Sequence, residues 1–407
     1  MVATRHSLDD GRIVHKEARS LLAAGHEVTL LFTCDAEGRF TRLDGAVLAT
    51  GPGPRFETAY AGCRVVGVAR GAGLAGKWRL LREMTARAVE IGADVYHAHE
   101  PDLSLTAALR AARRIGRRGG RALVVHDLHE YPPGEVWLGA PRPLRRLARL
   151  ATVGRDAWLA RRVDHLFASN SLIAGYAFTL TTDRPVDVLY NAPVMRLFPQ
   201  PSPLAWSGPP EPLVLCHEGA LGVDRGLREM IEAVDRLRRH VRLEIVGDAF
   251  GADREWLDAE VARRGLEGVV RRTGWLPYTE VGAALHRAHV GLLLIQDSDP
   301  NLRAGCPNKL FNYMNAGLAI VSVDLPEARR IVRGEDCGVI LPARDVDSLV
   351  EAIERLLAAP DRLRCMGLAG QQAVRERYSW EVQERVLLAA YREMARRLER
   401  PSRGAAA

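Results

Sequence analysis

Lysine is almost missing from this 407-residue chain: it occurs only at Lys16, Lys77 and Lys309, and every other basic residue is arginine. The formal net charge of +7 is therefore arginine spread over solvated faces, which weakens the case for an acidic partner that the charge alone would make. Aromatic residues are only 6% of the chain, with no stacking platform and no recognition-helix motif, so nucleic acid is excluded as a partner. Cys34, Cys63, Cys216, Cys306, Cys337 and Cys365 are scattered singly, without a C-x-x-C. That spacing excludes a disulfide framework or a zinc knuckle and fits a reducing cytoplasm. Long apolar runs are lacking too. The longest runs, such as residues 290–295, have the length of a strand, and the opening MVATRHSLDDGR is polar where a signal peptide needs an apolar core. The glycine loops of the second half carry no G-x-G-x-x-G fingerprint, and no complete Walker loop is present.

What is present is a globular composition, 47% hydrophobic and 26% charged, in a chain long enough for two domains. Strand patterns at 26–32, 63–68, 93–99, 122–129, 164–169 and 186–191 alternate with amphipathic segments such as RIVHKEARSLLAAG. This alternation predicts a parallel sheet with helices on both faces. A first strand should precede Arg12, where only residues 1–6 are available; it is either very short or the chain has lost residues at its start. Prolines then break the pattern over residues 191–212, after which strand and helix alternate again. The division expected is a first domain at 1–195, a linker at 196–212, a second domain at 213–376 and a closing segment at 377–407. Two doubly wound α/β domains would leave a cleft between the C-terminal edges of their sheets, and chemistry is expected there.

Residues 306–317, CPNKLFNYMNAG, read as the start of a buried helix. Proline suits the first helical position, with Gly305 or Cys306 as the cap. Leu310, Phe311, Met314 and Leu318 recur at helical spacing and hold the first turn in place. Its amides, with Lys309 beside them, form an anion site for which phosphate is the obvious ligand. The loop of 216–234 carries Gly219, Gly222 and Gly226 between a strand and an amphipathic helix, with Arg225 as a fixed positive charge. Residues 245–251, IVGDAFG, repeat the strand-to-glycine arrangement at Gly247. In the first half, His97 and His99 share one face of a strand, with His126 and His129 on the neighbouring segment. Hydrogen bonding by neutral imidazoles to a polyhydroxylated substrate suits these residues better than a zinc centre. Asp297 and Asp299 read as a solvated turn. The arginines of 141–150 alternate with Leu144, Leu147 and Leu150 in a pattern that fits a solvated helix flank better than an anionic membrane surface.

The ordered set ADVYHAHEPD, VVHDLHEYPP, LYNAP, HEGALGVDRGL, IVGDAFG, TGWLPYTEV and CPNKLFNYMNAGLAIVS resembles the retaining GT-B fold glycosyltransferases of family GT4 over nearly the whole chain. The closing YSWEVQERVLLAAYREM is similar to the terminal helix that crosses back to the first domain in that fold. The resemblance implies two Rossmann-like domains facing a central cleft. The first would hold the acceptor and the second a nucleotide-diphosphate sugar, with UDP favoured, GDP next and no cofactor required. The family's G-R-x4-K-G element falls on residues 219–226, which makes Arg225 the diphosphate partner and leaves Ala220 where the family has arginine. Its E-x7-E element runs from Ala304 to Asn312, so both acidic positions are absent. Asn312 would then face the ribose without charge, and Lys309 would compensate for the missing arginine.

By the same resemblance the nucleotide is bound by Gly219, Gly247, Trp275, Leu276, Gly305, Cys306, Asn308 and Asn312. His129 approaches the donor sugar, while His97, His99 and Glu130 lie on the acceptor side. The implied reaction is a front-face substitution in which the departing diphosphate oxygen takes the acceptor proton. A cytoplasmic enzyme is expected, with peripheral membrane contact open. A catalytically degenerate homologue that binds a ligand or partner is the alternative, supported by Ala220, Ala304 and Asn312.

Overall fold

Short runs of valine, leucine and isoleucine, bounded by glycine or polar turns, form the strands of the computed structural model. Residues 43–44, 54, 134–140, 199, 203–205, 297–299 and 400–407 lie outside its description, as does the side chain of Tyr278. Asp297 and Asp299 are therefore outside the described residues. The chain divides into two units, Met1–Tyr190 with Gln383–Ala407, and Asn191–Val382.

Unit 1 holds β1 (Thr29–Cys34), β2 (Arg39–Thr41), β3 (Val47–Thr50), β4 (Glu57–Tyr60), β5 (Cys63–Ala69), β6 (Val95–His99), β7 (Leu123–Leu128), β8 (His165–Ala168) and β9 (Val186–Val188). The strands order as β4-β5-β1 and β6-β7-β8-β9, and one residue, Val2, bridges Leu31 of β1 and Ala98 of β6. The strand expected before Arg12 is thus a single bridging residue, held by the Val2 amide on the His97 carbonyl at 2.8 Å and the Leu31 amide on the Met1 carbonyl at 2.8 Å. The sheet is not purely parallel, because β4 runs antiparallel to β5 at the edge, and β2 pairs antiparallel with β3. These short strands escaped the periodicity reading because their apolar residues alternate over only three or four positions. Met84, Leu105, Leu166 and Ile173 are fully buried where the helices cover this sheet.

RIVHKEARSLLAAG forms a π-helix, Ile13–Ala18, running into an α-helix, Arg19–Ala23. Its wider turn is closed by the Glu17 amide on the Arg12 carbonyl at 2.9 Å. The widening turns Arg12, Lys16 and Glu17 inward; all three are buried, where an ordinary amphipathic helix would expose them.

Unit 2 is a six-stranded parallel sheet, β10 (Leu213–Glu218), β11 (Val241–Val246), β12 (Val270–Arg272), β13 (Val290–Leu293), β14 (Ala319–Ser322) and β15 (Gly338–Ile340), ordered β12-β11-β10-β13-β14-β15. The order reverses beside β10, so the loops after β10 and β13 leave the sheet in opposite directions and open a crevice at its C-terminal edge. The helix Trp380–Glu399 closes the chain: from Gln383 onward it belongs to unit 1, where Tyr391 Oη lies 3.0 Å from His97 Nδ1 and Arg397 Nη2 donates to Asp164 Oδ1 at 2.6 Å. All six cysteines are free thiols, and no described helix is long and apolar enough to cross a membrane.

Candidate active site

Two glycine loops interlock at the C-terminal edge of the unit 2 sheet. β10 ends at Gly219, φ +87°, and the neighbouring β11 ends at Gly247, φ +144°. The Gly219 amide donates to the Val246 carbonyl at 2.8 Å and the Leu221 amide to the Asp248 carbonyl at 3.0 Å. A Cβ at Gly247 would stand 2.2 Å from the Gly219 carbonyl oxygen, so only glycine lets the loops close. Beyond the first loop, the 3₁₀ turn Val223–Arg225 ends at Gly226, φ +79°, where a Cβ would lie 2.4 Å from Leu294 Cβ. That contact fixes the backbone carrying Arg225, whose Nη1 lies 3.2 Å from Asp224 Oδ2.

The third element is the helix Asn308–Ala316, which starts one residue later than the sequence indicates. The Gly305 amide closes the preceding short helix, Pro300–Ala304, on the Asn301 carbonyl at 2.9 Å, and Pro307 stays extended at φ −69° and ψ 136°. Pro307 is thus the cap and not the first helical residue, and no side chain among the described residues caps the helix. Leu310, Phe311, Met314 and Leu318 are fully buried beneath it. Asn308 is exposed and Cys306 half-buried, with its thiol pushed well above the usual range by burial and by Glu327.

Lys309 Nζ lies 3.3 Å from His217 Nε2, and Asn312 Nδ2 donates to Glu218 Oε1 at 2.8 Å. Burial lowers the Lys309 pKa to about 8; nearby Arg225 lowers it further, while Glu218 opposes the shift. His217 is buried and held well below the ordinary imidazole range by burial and by Lys309, so it is neutral and accepts from the ammonium. Its Nε2 also lies 3.2 Å from the Ala220 carbonyl, which offers the imidazole N–H a partner whenever Lys309 turns elsewhere. The loop of Thr273 and Trp275 joins through the Gly247 amide, which donates to Thr273 Oγ1 at 3.2 Å. Trp275 stacks on Phe250 at 5.6 Å and 27°, both rings more than half exposed, while Leu276 is half-buried. The structure therefore gathers Arg225, Lys309, Asn312, Gly219 and Gly247 at one sheet edge. It adds His217, Glu218 and Phe250, which the sequence reading passed over.

In unit 1 a buried charge network stands at the C-terminal ends of β6 and β7. Arg12 donates through Nε and Nη2 to the two oxygens of Asp127, each at 2.8 Å, and its Nε lies 2.9 Å from Glu17 Oε1. Asp127 also accepts from His129 Nε2 at 3.0 Å, and His129 Nε2 is 3.2 Å from His99 Nδ1. Register explains the membership: His99 lies opposite Asp127, so alternation brings Asp127, not His126, onto the face of His97 and His99. The sequence reading placed His126 in this group; its ring goes to the other face. His97 and His99 stack at 4.7 Å and 17°, and both are fully buried, too deep to touch an acceptor directly. His129 is partly exposed and Glu130 exposed. Donor atoms of Glu17, His97, His99 and Asp127 approach within 4.8 Å of one another, but the Arg12 guanidinium already neutralises Asp127 and reaches Glu17 from within the cluster. Burial would raise the Asp127 carboxyl, yet Arg12 and His129 outweigh it and keep it ionised; Glu17, raised well above the carboxylate range by burial and by Asp127, holds the proton.

These rings set a pH dependence. Burial lowers His99 and His126 from 6.5 to about 3, and neither His126 nitrogen has a hydrogen-bond partner among the described residues. The unfolded chain binds more protons than the folded one in that window, so stability falls as pH drops below about 6.5, by about 1.4 kcal/mol per pH unit per ring. Glu17 works in the opposite sense, favouring the folded state at low pH. Chemical denaturation between pH 7 and 4 should show this loss, and His126→Leu should make it shallower. An equally steep fall in the variant would contradict the assignment.

Two family profiles match the sequence: "Glycosyl transferase 4-like domain" over residues 11–192 and "Glycosyl transferases group 1" over residues 212–359. The chain is similar to glycogen synthase of Mycobacterium tuberculosis, 23% identical over 398 residues that cover 91% of this chain and 87% of that protein. Among solved structures it resembles sucrose-phosphate synthase from Thermosynechococcus elongatus, with a TM-score of 0.72, 16% identity and coverage of 97% and 99% of the two chains. It also resembles HepE of Anabaena in complex with UDP and glucose, with a TM-score of 0.62, 15% identity and coverage of 82% and 87%.

Proposed function

Because this chain belongs to the GT-B glycosyltransferases of the GT4 type, we propose that it moves a sugar, with retention, from a nucleoside-diphosphate donor to a small-molecule or glycan acceptor. The observation that carries the donor assignment is the placing of Lys309 and Arg225 beside an uncapped helix start and two interlocked glycine loops. Fixed cations and backbone amides are the groups that stabilise a departing diphosphate. The exposed Phe250–Trp275 ring pair offers a stacking face for the base. UDP is favoured, with GDP next, because the similar HepE structure holds UDP and glucose.

In the proposed reaction the anomeric carbon loses its bond to the diphosphate oxygen and gains one to the acceptor on the same face. That phosphate oxygen takes the acceptor proton. Of the described carboxylates gathered with Lys309 and Arg225, Glu218 is held by Asn312 and Asp224 by Arg225, so neither is proposed as the nucleophile of a covalent intermediate. His129, oriented by Asp127, is proposed to position the sugar, and exposed Glu130 the acceptor. His97 and His99 act through that network.

Thermal melts with UDP, GDP, ADP and dTDP test the donor assignment. The preferred nucleotide at about a hundred times its Kd should stabilise the fold by about 2.7 kcal/mol. If none raises the melting temperature, the assignment fails. The 3₁₀ turn Arg142–Leu144 and the helix Arg145–Ala160 leave Leu144, Leu147 and Leu150 exposed at 52%, 66% and 70%, beside Arg145, Arg146 and Arg149. Their exposure supports a second reading beside the solvated flank, that this flank rests on anionic lipid. Flotation with phosphatidylglycerol vesicles should be lost when the three arginines become glutamine; wild-type protein that never floats would end this part of the proposal.

A further inference from the structure

We propose that Glu218, the last residue of β10, is the carboxylate that receives the ribose hydroxyls of the donor, with Asn312 as its positioning partner. The inference rests on the donor assignment above and concerns a residue that the sequence pattern does not mark. The two positions where the family resemblance calls for acids hold Ala304 and Asn312. A ribose 2′,3′-diol presents two O–H donors, so its site must supply acceptors.

Asn312 Nδ2 already donates to Glu218 Oε1 at 2.8 Å, which turns the amide oxygen of Asn312 away from the carboxylate. The pair thus supplies a carboxylate oxygen, Oε2 of Glu218, which is buried in this structure, and an amide oxygen, both acceptors. Its position is fixed twice. The Glu218 amide donates to Tyr313 Oη at 2.8 Å, and Tyr313 follows Asn312 on the same helix, fully buried against Gly291. Main chain and side chain of Glu218 are therefore both tied to the helix that carries Lys309. Lys309 and Asn312 are three residues apart, so they share one helix face. A cation for the diphosphate and an acceptor pair for the sugar of the nucleoside then lie side by side. Glu218 is half-buried and directly precedes Gly219, the first glycine of the loop after β10.

The competing role is that Glu218 only balances the charge of Lys309. Calorimetric titration of the full-length protein with UDP and with 2′,3′-dideoxy-UDP separates the two, using GDP and its dideoxy form if GDP is preferred. Wild-type protein should bind the ribonucleotide at least about tenfold more tightly than the dideoxy form, as expected for hydrogen bonds to a charged acceptor. In Glu218→Gln that ratio should collapse toward one, with dideoxy binding no weaker than in the wild type. Asn312→Asp in the Glu218→Gln background should restore the ratio, because it returns a carboxylate to the same pair. Equal weakening of both nucleotides in Glu218→Gln, or an unchanged ratio, would overturn the assignment while leaving the donor site intact. A wild-type protein that binds none of UDP, GDP, ADP and dTDP would instead overturn the donor assignment itself.

Discussion

Lys309→Ala should lower turnover by about two to three orders of magnitude, the size of effect expected when one preorganised oxyanion donor is removed. Three observations support so large a figure. The ammonium is carried on the first turn of a helix whose flank is fully buried, so its origin is rigid. Its resting partner is a neutral imidazole at 3.3 Å, a weak competitor for a diphosphate. Burial has also lowered its pKa to about 8, so the free enzyme holds a partly desolvated cation that gains most from an anion. The sign of the pH effect follows. Below about pH 8 the group is charged, and above it the charge is lost, so kcat/KM for the donor should fall as pH rises through 8. The corresponding limb in kcat should move to higher pH, because bound diphosphate favours the charged form. Lys309→Arg should retain activity and lose the limb, since guanidinium does not deprotonate in this range. An unchanged alkaline limb in Lys309→Arg would remove Lys309 from the donor site.

Arg225→Ala should cost about two orders of magnitude in turnover, with Arg225→Lys recovering only part of it. Gly226 presses on Leu294 and fixes the turn, so the guanidinium is presented from a rigid backbone, and a lysine cannot reproduce its fork. Arg225 and Lys309 also act on one leaving group. The double variant should therefore lose less than the product of the single losses. Asn312→Ala should be milder than either, about tenfold, because it removes a positioning amide and no charge. The comparison needs kcat and KM for the wild type and each of these variants under one condition. Arg225→Ala turning over at the wild-type rate would refute the diphosphate role.

The alternation of strand and helix was legible because apolar runs of strand length sit between amphipathic segments, and β10 to β15 follow that pattern closely. The strands β2, β3 and β4 were not, since three or four residues carry too little periodicity to stand out from a loop. Of the candidate site, the glycine positions were readable because backbone that must approach backbone admits nothing larger: Gly247 is the plainest case. Lys309 was readable because it falls on the first turn of a helix pattern, beside amides that favour an anion. Phe250, by contrast, looks like any loop aromatic until its ring is found on Trp275.

By itself, then, the sequence determined the two-part α/β organisation, the glycine loops and the family, all of which follow from local spacing along the chain. Only the tertiary structure decided which charged groups meet. Arg12 and Asp127 are 115 residues apart, Glu218 and Asn312 are 94 apart, and His217 and Lys309 are 92 apart. Such pairs depend on strand register and on the turn geometry of a π-helix, which set the side each residue faces. A one-residue difference in either moves a charge from core to solvent, and local periodicity does not encode that choice.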